Sequence, residues 1–252
     1  MKLFCVSDIH SYYTALKKAL DKAGFDKNNP DHWLISCGDA FDRGYESEEV
    51  LHFLMSLERV ILVKGNHDIL LEDCCIREIP YGHDFSNGTV RTINDIGGAG
   101  EGYPFEQCCE NTLNRTAAYR ISLVNYFETE NYIFVHSWIP TVNTEAIDTL
   151  NKHYEYREDW RSASIGDWED AMWGNPFFKA QDGMNKTGKT IVFGHWHCSL
   201  GHLISSDGEL SEFGDNACWD VYENKDWKIV GLDRCTAYTG KVNVFVIEDN
   251  FI

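Results

Sequence analysis

The sequence predicts an α/β fold in which a parallel sheet gathers polar loops along one edge. Three short apolar runs, KLFCVS, HWLIS and VILV, each lead through a polar loop towards a helix. Strands that alternate with helices in this way pair in parallel, and the loops at their carboxyl ends then share one edge. At 252 residues, 43% of them hydrophobic, the chain is long and apolar enough to build one globular domain over residues 1–252.

Each element follows in order. After the first run and DIH, the stretch SYYTALKKALDKAG repeats Leu16, Leu20 and Ala23 at helical spacing, and Gly24 supplies a stop. HWLIS is followed by CGDAFDRGYE, and Ser47 then stands where it would cap a helix whose Val50, Phe53, Leu54 and Leu57 form one apolar stripe. VILV is the third strand, and KGNHD leads from it into another helix. Residues 72–118 are less regular, with loops at GHDFSNG and DIGGAGEGY, and read as a partly helical insertion covering the edge of the site. YFETENYIFVHS reads as a hairpin, and KTIVFGHWH holds a further strand after the long stretch from Asn143 to Lys189. The closing WKIVGLDRCTAYTGKVNVFVIED reads as two strands of a second sheet.

Charge narrows the function. Twenty-two basic residues against 40 acidic ones give a net charge of −18, a field that repels polyanions and argues against nucleic-acid binding. The opening MKLFCVSDIH reads as neither a signal nor a transit peptide, and no apolar run is long enough for a membrane span, so a soluble cytoplasmic protein is expected. The nine cysteines are accordingly read as thiols. Adjacent pairs at Cys74 and Cys75 and at Cys108 and Cys109 lack the two-residue gap that lets both sulfurs face one zinc ion.

Five strand ends carry residue types that bind metals. Asp8 and His10 follow FCVS, Asp39 follows LISCG, Asn66 and His67 follow ILVKG, His136 follows YIFV, and His195 and His197 follow IVFG. A polar residue after one buried strand is ordinary, and a lone histidine is more often a satisfied one than a ligand. Five loops that converge on one edge, all ending in oxygen or imidazole donors, point instead to a metal site.

DIH, GDAFDRG, GNHD, VHS and GHWH, in this order, resemble the signature of the calcineurin-like metallophosphoesterases. GDAFDRG is similar to the branch that contains the serine/threonine protein phosphatases and the bacterial diadenosine tetraphosphate hydrolases. The resemblance implies a two-sheet β sandwich flanked by helices, with the inserted segment after the third strand. It further implies that Asp8, His10 and His197 hold one divalent cation, that Asn66, His136 and His195 hold another, and that Asp39 bridges the two. Manganese is the expected metal, with iron, zinc, cobalt and nickel as alternatives that such a mixed shell accepts. Arg43 corresponds to a phosphate-binding arginine, with Asn66 beside it at the substrate. His67 corresponds to the acid that protonates the departing oxygen, and Asp42 to the carboxylate that orients it.

The implied reaction is attack of a metal-bridging hydroxide on a phosphomonoester, either a phosphoprotein or a small phosphorylated metabolite. Hydrolysis of a dinucleoside polyphosphate or of a phosphodiester is the alternative within catalysis. A metal-binding interaction module without activity is the alternative outside it, disfavoured because neither His67, Arg43 nor any ligand is missing. Oligomeric state is open. The chain also departs from the family pattern: Ser11 follows the first motif where glycine is usual, and Trp138 follows VHS, changes expected to narrow the approach to the metals. Asn175 stands where a second phosphate-binding arginine is usual, with Lys179 and Lys186 as nearby substitutes. Trp138 and Trp196 adjoin ligand positions and are candidates for stacking on a base or an aryl phosphate, although packing is the commoner role.

Overall fold

Along the first strand Leu3 and Cys5 face one way, Phe4 and Val6 the other, and all four are buried. A strand covered on both faces needs a packed layer on each side, and that requirement sets the architecture. A computed structural model describes residues 1–143, 154–205, 217–224 and 227–252. In chain order its strands are β1 (Lys2–Val6), β2 (His32–Cys37), β3 (Val60–Val63), β4 (Leu123–Val124), β5 (Phe127–Glu128), β6 (Tyr132–Phe134), β7 (Thr141–Asn143), β8 (Tyr154–Tyr156), β9 (Thr190–Phe193), β10 (Trp219–Asn224), β11 (Trp227–Gly231) and β12 (Phe245–Glu248). The helices are α1 (Tyr13–Ala23), α2 (Ser47–Met55), α3 (Asn66–Arg77), α4 (Gly82–Asn87), α5 (Thr89–Gly97), α6 (Phe105–Arg115), α7 (Ala117–Ser122), α8 (Ile165–Ala171), α9 (Pro176–Gln181), α10 (Cys198–Ser205) and α11 (Thr236–Thr239).

Two five-stranded sheets form a sandwich flanked by helices. The first has the order β12-β1-β2-β3-β4, and the second β10-β11-β9-β6-β5. Leu3, Cys5, Ile35, Cys37 and Val63 of the first sheet meet Phe134, Val192 and Val230 of the second in the middle layer. The opposite face of the first sheet, through Phe4, Val6, Leu34 and Leu62, packs on α1, α2 and the helical block from α3 to α7. Ile133, Ile191, Phe193 and Ile229 of the second sheet pack outward on Trp138, Trp160, Trp168 and Phe177.

β1, β2, β3 and β4 are parallel, as are β6, β9 and β11 in the other sheet. The carboxyl ends of both parallel sets therefore open on one side of the sandwich. Among the described residues, no helix is long and apolar enough to cross a membrane.

Three expectations need correction. The last two strands do not share a sheet: β11 pairs with β9, whereas β12 crosses to run antiparallel to β1, with Lys2 opposite Glu248. Nothing in two apolar runs joined by a loop distinguishes these outcomes. Ser47 is the first residue inside α2 and not its cap. The free backbone N–H groups of Ser47 and Glu48 donate instead to Asp95 Oδ2 on α5, at 2.8 and 3.2 Å, so a distant helix satisfies this terminus. Lys186 is exposed and precedes the amino end of β9, the end opposite His195, and cannot reach a phosphate at the site. The cysteine pairs lie buried on α3 and α6 as free thiols, and desolvation holds Cys75 and Cys109 protonated.

Candidate active site

The parallel strands deliver their loops as the topology requires. From the first sheet, β1 leads to Asp8 and His10, β2 to Asp39, Asp42 and Arg43, and β3 to Asn66 and His67. From the second, β6 leads to His136, β9 to His195 and His197, and β11 to Asp233. Asp8, His10, Ser11, Asp39, Asp42, Arg43 and His195 all adopt positive φ, between 50° and 73°. Such a conformation costs a non-glycine residue about 1–3 kcal/mol, and its clustering at strand ends that share one site indicates that the surrounding structure holds these side chains in place for a reason other than stability. Gly38, at φ 85°, permits a close approach, since a Cβ there would overlap the His136 ring, and a Cβ on Gly194 would likewise overlap the Asp8 carboxylate.

Asp39 occupies the centre. Its Oδ1 lies 3.3 Å from His136 Nε2 and accepts the backbone N–H of His67 at 3.1 Å. Its Oδ2 lies 3.8 Å from His10 Nε2 and 3.9 Å from His67 Nε2. The two oxygens thus face two groups of donors, His136 with His195 on one side and His10 with His67 on the other. Asp8 Oδ1 joins the second group at 3.8 Å from His10 Nε2, and Asp8 Oδ2 accepts the backbone N–H of His195 at 2.9 Å.

Tautomers follow from the backbone. His10 Nδ1 is 2.9 Å from the Phe41 carbonyl and His136 Nδ1 is 2.9 Å from the Cys37 carbonyl. A carbonyl accepts only, so each Nδ1 carries a proton and each Nε2 turns its lone pair to the cluster when the ring is neutral. Burial favours that neutral form: it pulls His10 well below its ordinary value, aided by Arg43, and pulls His195 down to about 3, aided by His136. Burial also pushes Asp8 up to about 6, whereas Asp39 falls below the usual carboxylate range because four surrounding imidazoles outweigh its own desolvation.

His136 Nε2 and Asn66 Oδ1 stand 2.8 Å apart. This contact is satisfied by a shared cation, by a proton on Nε2, or by the Asn66 amide turned to donate its N–H. Neutral imidazoles, an amide oxygen and buried carboxylates, with Asp39 facing both sides, are a donor set that fits two divalent cations sharing one carboxylate.

Beside this cluster, His67 Nδ1 lies 2.8 Å from Asp42 Oδ2, and Arg43 Nη2 lies 3.5 Å from His67 Nε2. Burial lowers the affinity of His67 for a proton, but Asp39 and the Asp42 hydrogen bond together overcome it and raise its pKa.

His197 is in neither of the two donor triads, and its Nε2 lies 3.7 Å from Asp233 Oδ2. Asp233 is a buried carboxylate that sequence reasoning missed, although KIVGL followed by aspartate repeats the pattern of the other strand ends. Ser11 does not narrow the approach: it is buried, and its hydroxyl pairs with that of Ser47 at 2.9 Å. Trp138 is 1% exposed and belongs to the outer core, so it offers no stacking face, whereas Trp196 is 38% exposed. Asn175 turns away to cap α9, its Oδ1 accepting from Phe177 and Phe178 N–H at 3.0 and 3.3 Å. One turn along the same helix, Lys179 lines a cavity of about 700 Å³ together with Trp173, Asp170, Arg157 and Val142. The Trp173 ring meets that of His195 edge-on at 6.2 Å, so this cavity adjoins the donor cluster.

The sequence matches the family described as calcineurin-like phosphoesterase over residues 1–231. It is 42% identical over 72 residues to a symmetrical bis(5'-nucleosyl)-tetraphosphatase of Buchnera aphidicola, a stretch that makes up 28% of this chain and 25% of that protein. The chain therefore matches about a quarter of the length of this curated relative. Among solved structures, a cold-active protein tyrosine phosphatase has a TM-score of 0.60 at 15% identity, covering 98% of this chain and 73% of its own. Another such phosphatase, from a Shewanella species, has a TM-score of 0.51 at 15% identity, covering 98% and 75%. At that identity the likeness is one of fold.

Proposed function

This chain belongs to the calcineurin-like phosphoesterase family, and on that premise we propose that it is a metal-dependent hydrolase that cleaves phosphomonoesters. The observation that supports this reading is Arg43, whose guanidinium lies beside His67 Nε2 and next to the donor cluster. A planar guanidinium pairs two phosphoryl oxygens at once and favours a terminal, doubly charged phosphate. Asp8, His10 and His197 would hold one cation, Asn66, His136 and His195 the other, with Asp39 shared between them and manganese as the expected metal. When bound, such a pair supplies Lewis acidity and lowers the pKa of water.

The remaining steps belong to the side chains. Arg43 and the amide of Asn66 orient the phosphoryl group. His67, with Nδ1 donating to Asp42, presents Nε2 to the leaving oxygen and gives up its proton as the P–O bond breaks. Asp42 stabilises the ring while it is positively charged. The cavity beside Trp173 offers room for the alcohol part of the ester. A cytoplasmic setting is part of the same reading, supported by nine cysteines that are not joined in disulfides.

Hydrolysis of a dinucleoside polyphosphate is the second reading, favoured by the name of the curated relative and by the exposed faces of Trp173 and Trp196. Both readings are tested by comparing a phosphopeptide, an aryl phosphate, a bis-aryl phosphodiester and a dinucleoside tetraphosphate with manganese present. The monoesters are expected to have the higher kcat/KM. Faster turnover of the dinucleoside compound than of both monoesters would promote the second reading, and no turnover of any of the four with both metals bound would favour an inactive metal-binding module.

A further inference from the structure

Helix α5 grips the Asp42–Arg43 loop through more contacts than a covering helix needs. Thr89 Oγ1 donates to Asp42 Oδ2 at 2.7 Å, the same oxygen that receives His67 Nδ1. Thr92 Oγ1 donates to Asp42 Oδ1 at 2.9 Å and also accepts the backbone N–H of Asp42 at 3.1 Å. Both threonines and Asp42 are fully buried. The neighbouring backbone is held as well: Arg43 N–H donates to the Asn87 carbonyl at 2.9 Å, and Arg91 Nη1 donates to the Arg43 carbonyl at 2.7 Å. Gly88, at φ 86°, makes this approach possible, since a Cβ there would come within 2.6 Å of the Arg43 nitrogen.

From this geometry we infer that Thr89 and Thr92 are positioning residues of the reaction, acting on His67 through Asp42. A carboxylate can rotate about its Cβ–Cγ bond, and rotation would carry Oδ2 away from His67. Two hydroxyls donating to different oxygens from one helix remove that freedom. Thr92 closes a second ring through the Asp42 N–H and holds this residue at φ 73°, the conformation that aims its side chain at His67. The two threonines lie three positions apart, on one face of the helix. A helix from the irregular segment between β3 and β4 thereby becomes the third member of a hydroxyl–carboxylate–imidazole chain.

The inference rests on the reading of His67 as the acid, and the experiment separates the two. Thr92→Val and Thr89→Val are compared with Thr92→Ser, with His67→Ala, and with Thr92→Val in the His67→Ala background. Each protein is assayed with manganese on an alkyl and an aryl phosphate, alongside metal content and thermal unfolding. Thr92→Val is expected to lower kcat on the alkyl phosphate roughly 10- to 100-fold with KM little changed, to lower it less on the aryl phosphate, and to keep both metals. Thr92→Ser restores the rate, and the valine substitution adds nothing once His67 is gone. If His67→Ala slows the alkyl phosphate but Thr92→Val slows both substrates equally, or acts fully in the His67→Ala background, the threonine is structural and the inference falls. If His67→Ala itself leaves the alkyl rate unchanged, the reading beneath it falls first.

Discussion

His136 Nε2 and Asn66 Oδ1, two acceptors, face one another at 2.8 Å, with His136 Nδ1 committed to the Cys37 carbonyl. Both groups would serve as ligands to one divalent cation, which would relieve the repulsion between two acceptors. Stripping the protein with a chelator is therefore expected to lower Tm and abolish turnover, and manganese to restore both, because buried Asp8 and Asp39 are otherwise left without their counter-charge. An unchanged Tm after complete removal of metal would show that this pair is satisfied without a cation, by a proton on His136 or by the Asn66 amide turned to donate.

Asp39 faces both donor groups, one oxygen to each. Asp39→Asn is expected to lose the metal pair and activity together, measured as metal per chain alongside kcat. Retention of two metals with more than about a tenth of the rate, a loss of only ~1.4 kcal/mol, would remove Asp39 from the bridging position.

Asp42 touches His67, the one member of the two donor groups read as the acid and not as a ligand, so Asp42→Asn is expected to separate proton transfer from metal binding. Metals are expected to stay while kcat on an alkyl phosphate falls roughly 10²- to 10⁴-fold, the range of a general acid. An aryl leaving group of low pKa needs little protonation and should suffer less. Equal losses on both esters would argue against the dyad.

Lys179 is buried beside the cavity, and desolvation pulls it down to about 8 against the opposing pull of Asp170. The folded chain then binds fewer protons than the unfolded one between about pH 8 and 10.5, so this group's cost is full below pH 8 and fades as pH rises through that window. Lys179→Met is expected to raise stability at pH 7 by at most about 3 kcal/mol, at roughly 1.36 kcal/mol per pH unit, and by less at pH 10. Denaturant unfolding at both pH values reads this directly, and a gain that grows with pH contradicts the sign.

The residues that end the strands were legible without coordinates. Alternating strand and helix patterns dictate parallel pairing and parallel strands share one carboxyl edge, so Asp8, His10, Asp39, Asn66 and His67 fall together by that rule, whereas His136 and His195 end strands of the second sheet and join them through the packing of the two sheets. Asp233 was legible by the same rule. Thr89 and Thr92 carried no such signal, since a threonine on a helix face looks the same whether it meets solvent or a carboxylate. Tertiary structure alone decided that α5 turns these hydroxyls onto Asp42 and lends Asp95 to the start of α2. It also decided that Asn175 caps its own helix, that Trp138 is core, and that β12 returns to the first sheet. Each of these outcomes depends on which distant surfaces come into contact, and that is set by how two sheets and a helical block share one interior, a property that local periodicity does not encode.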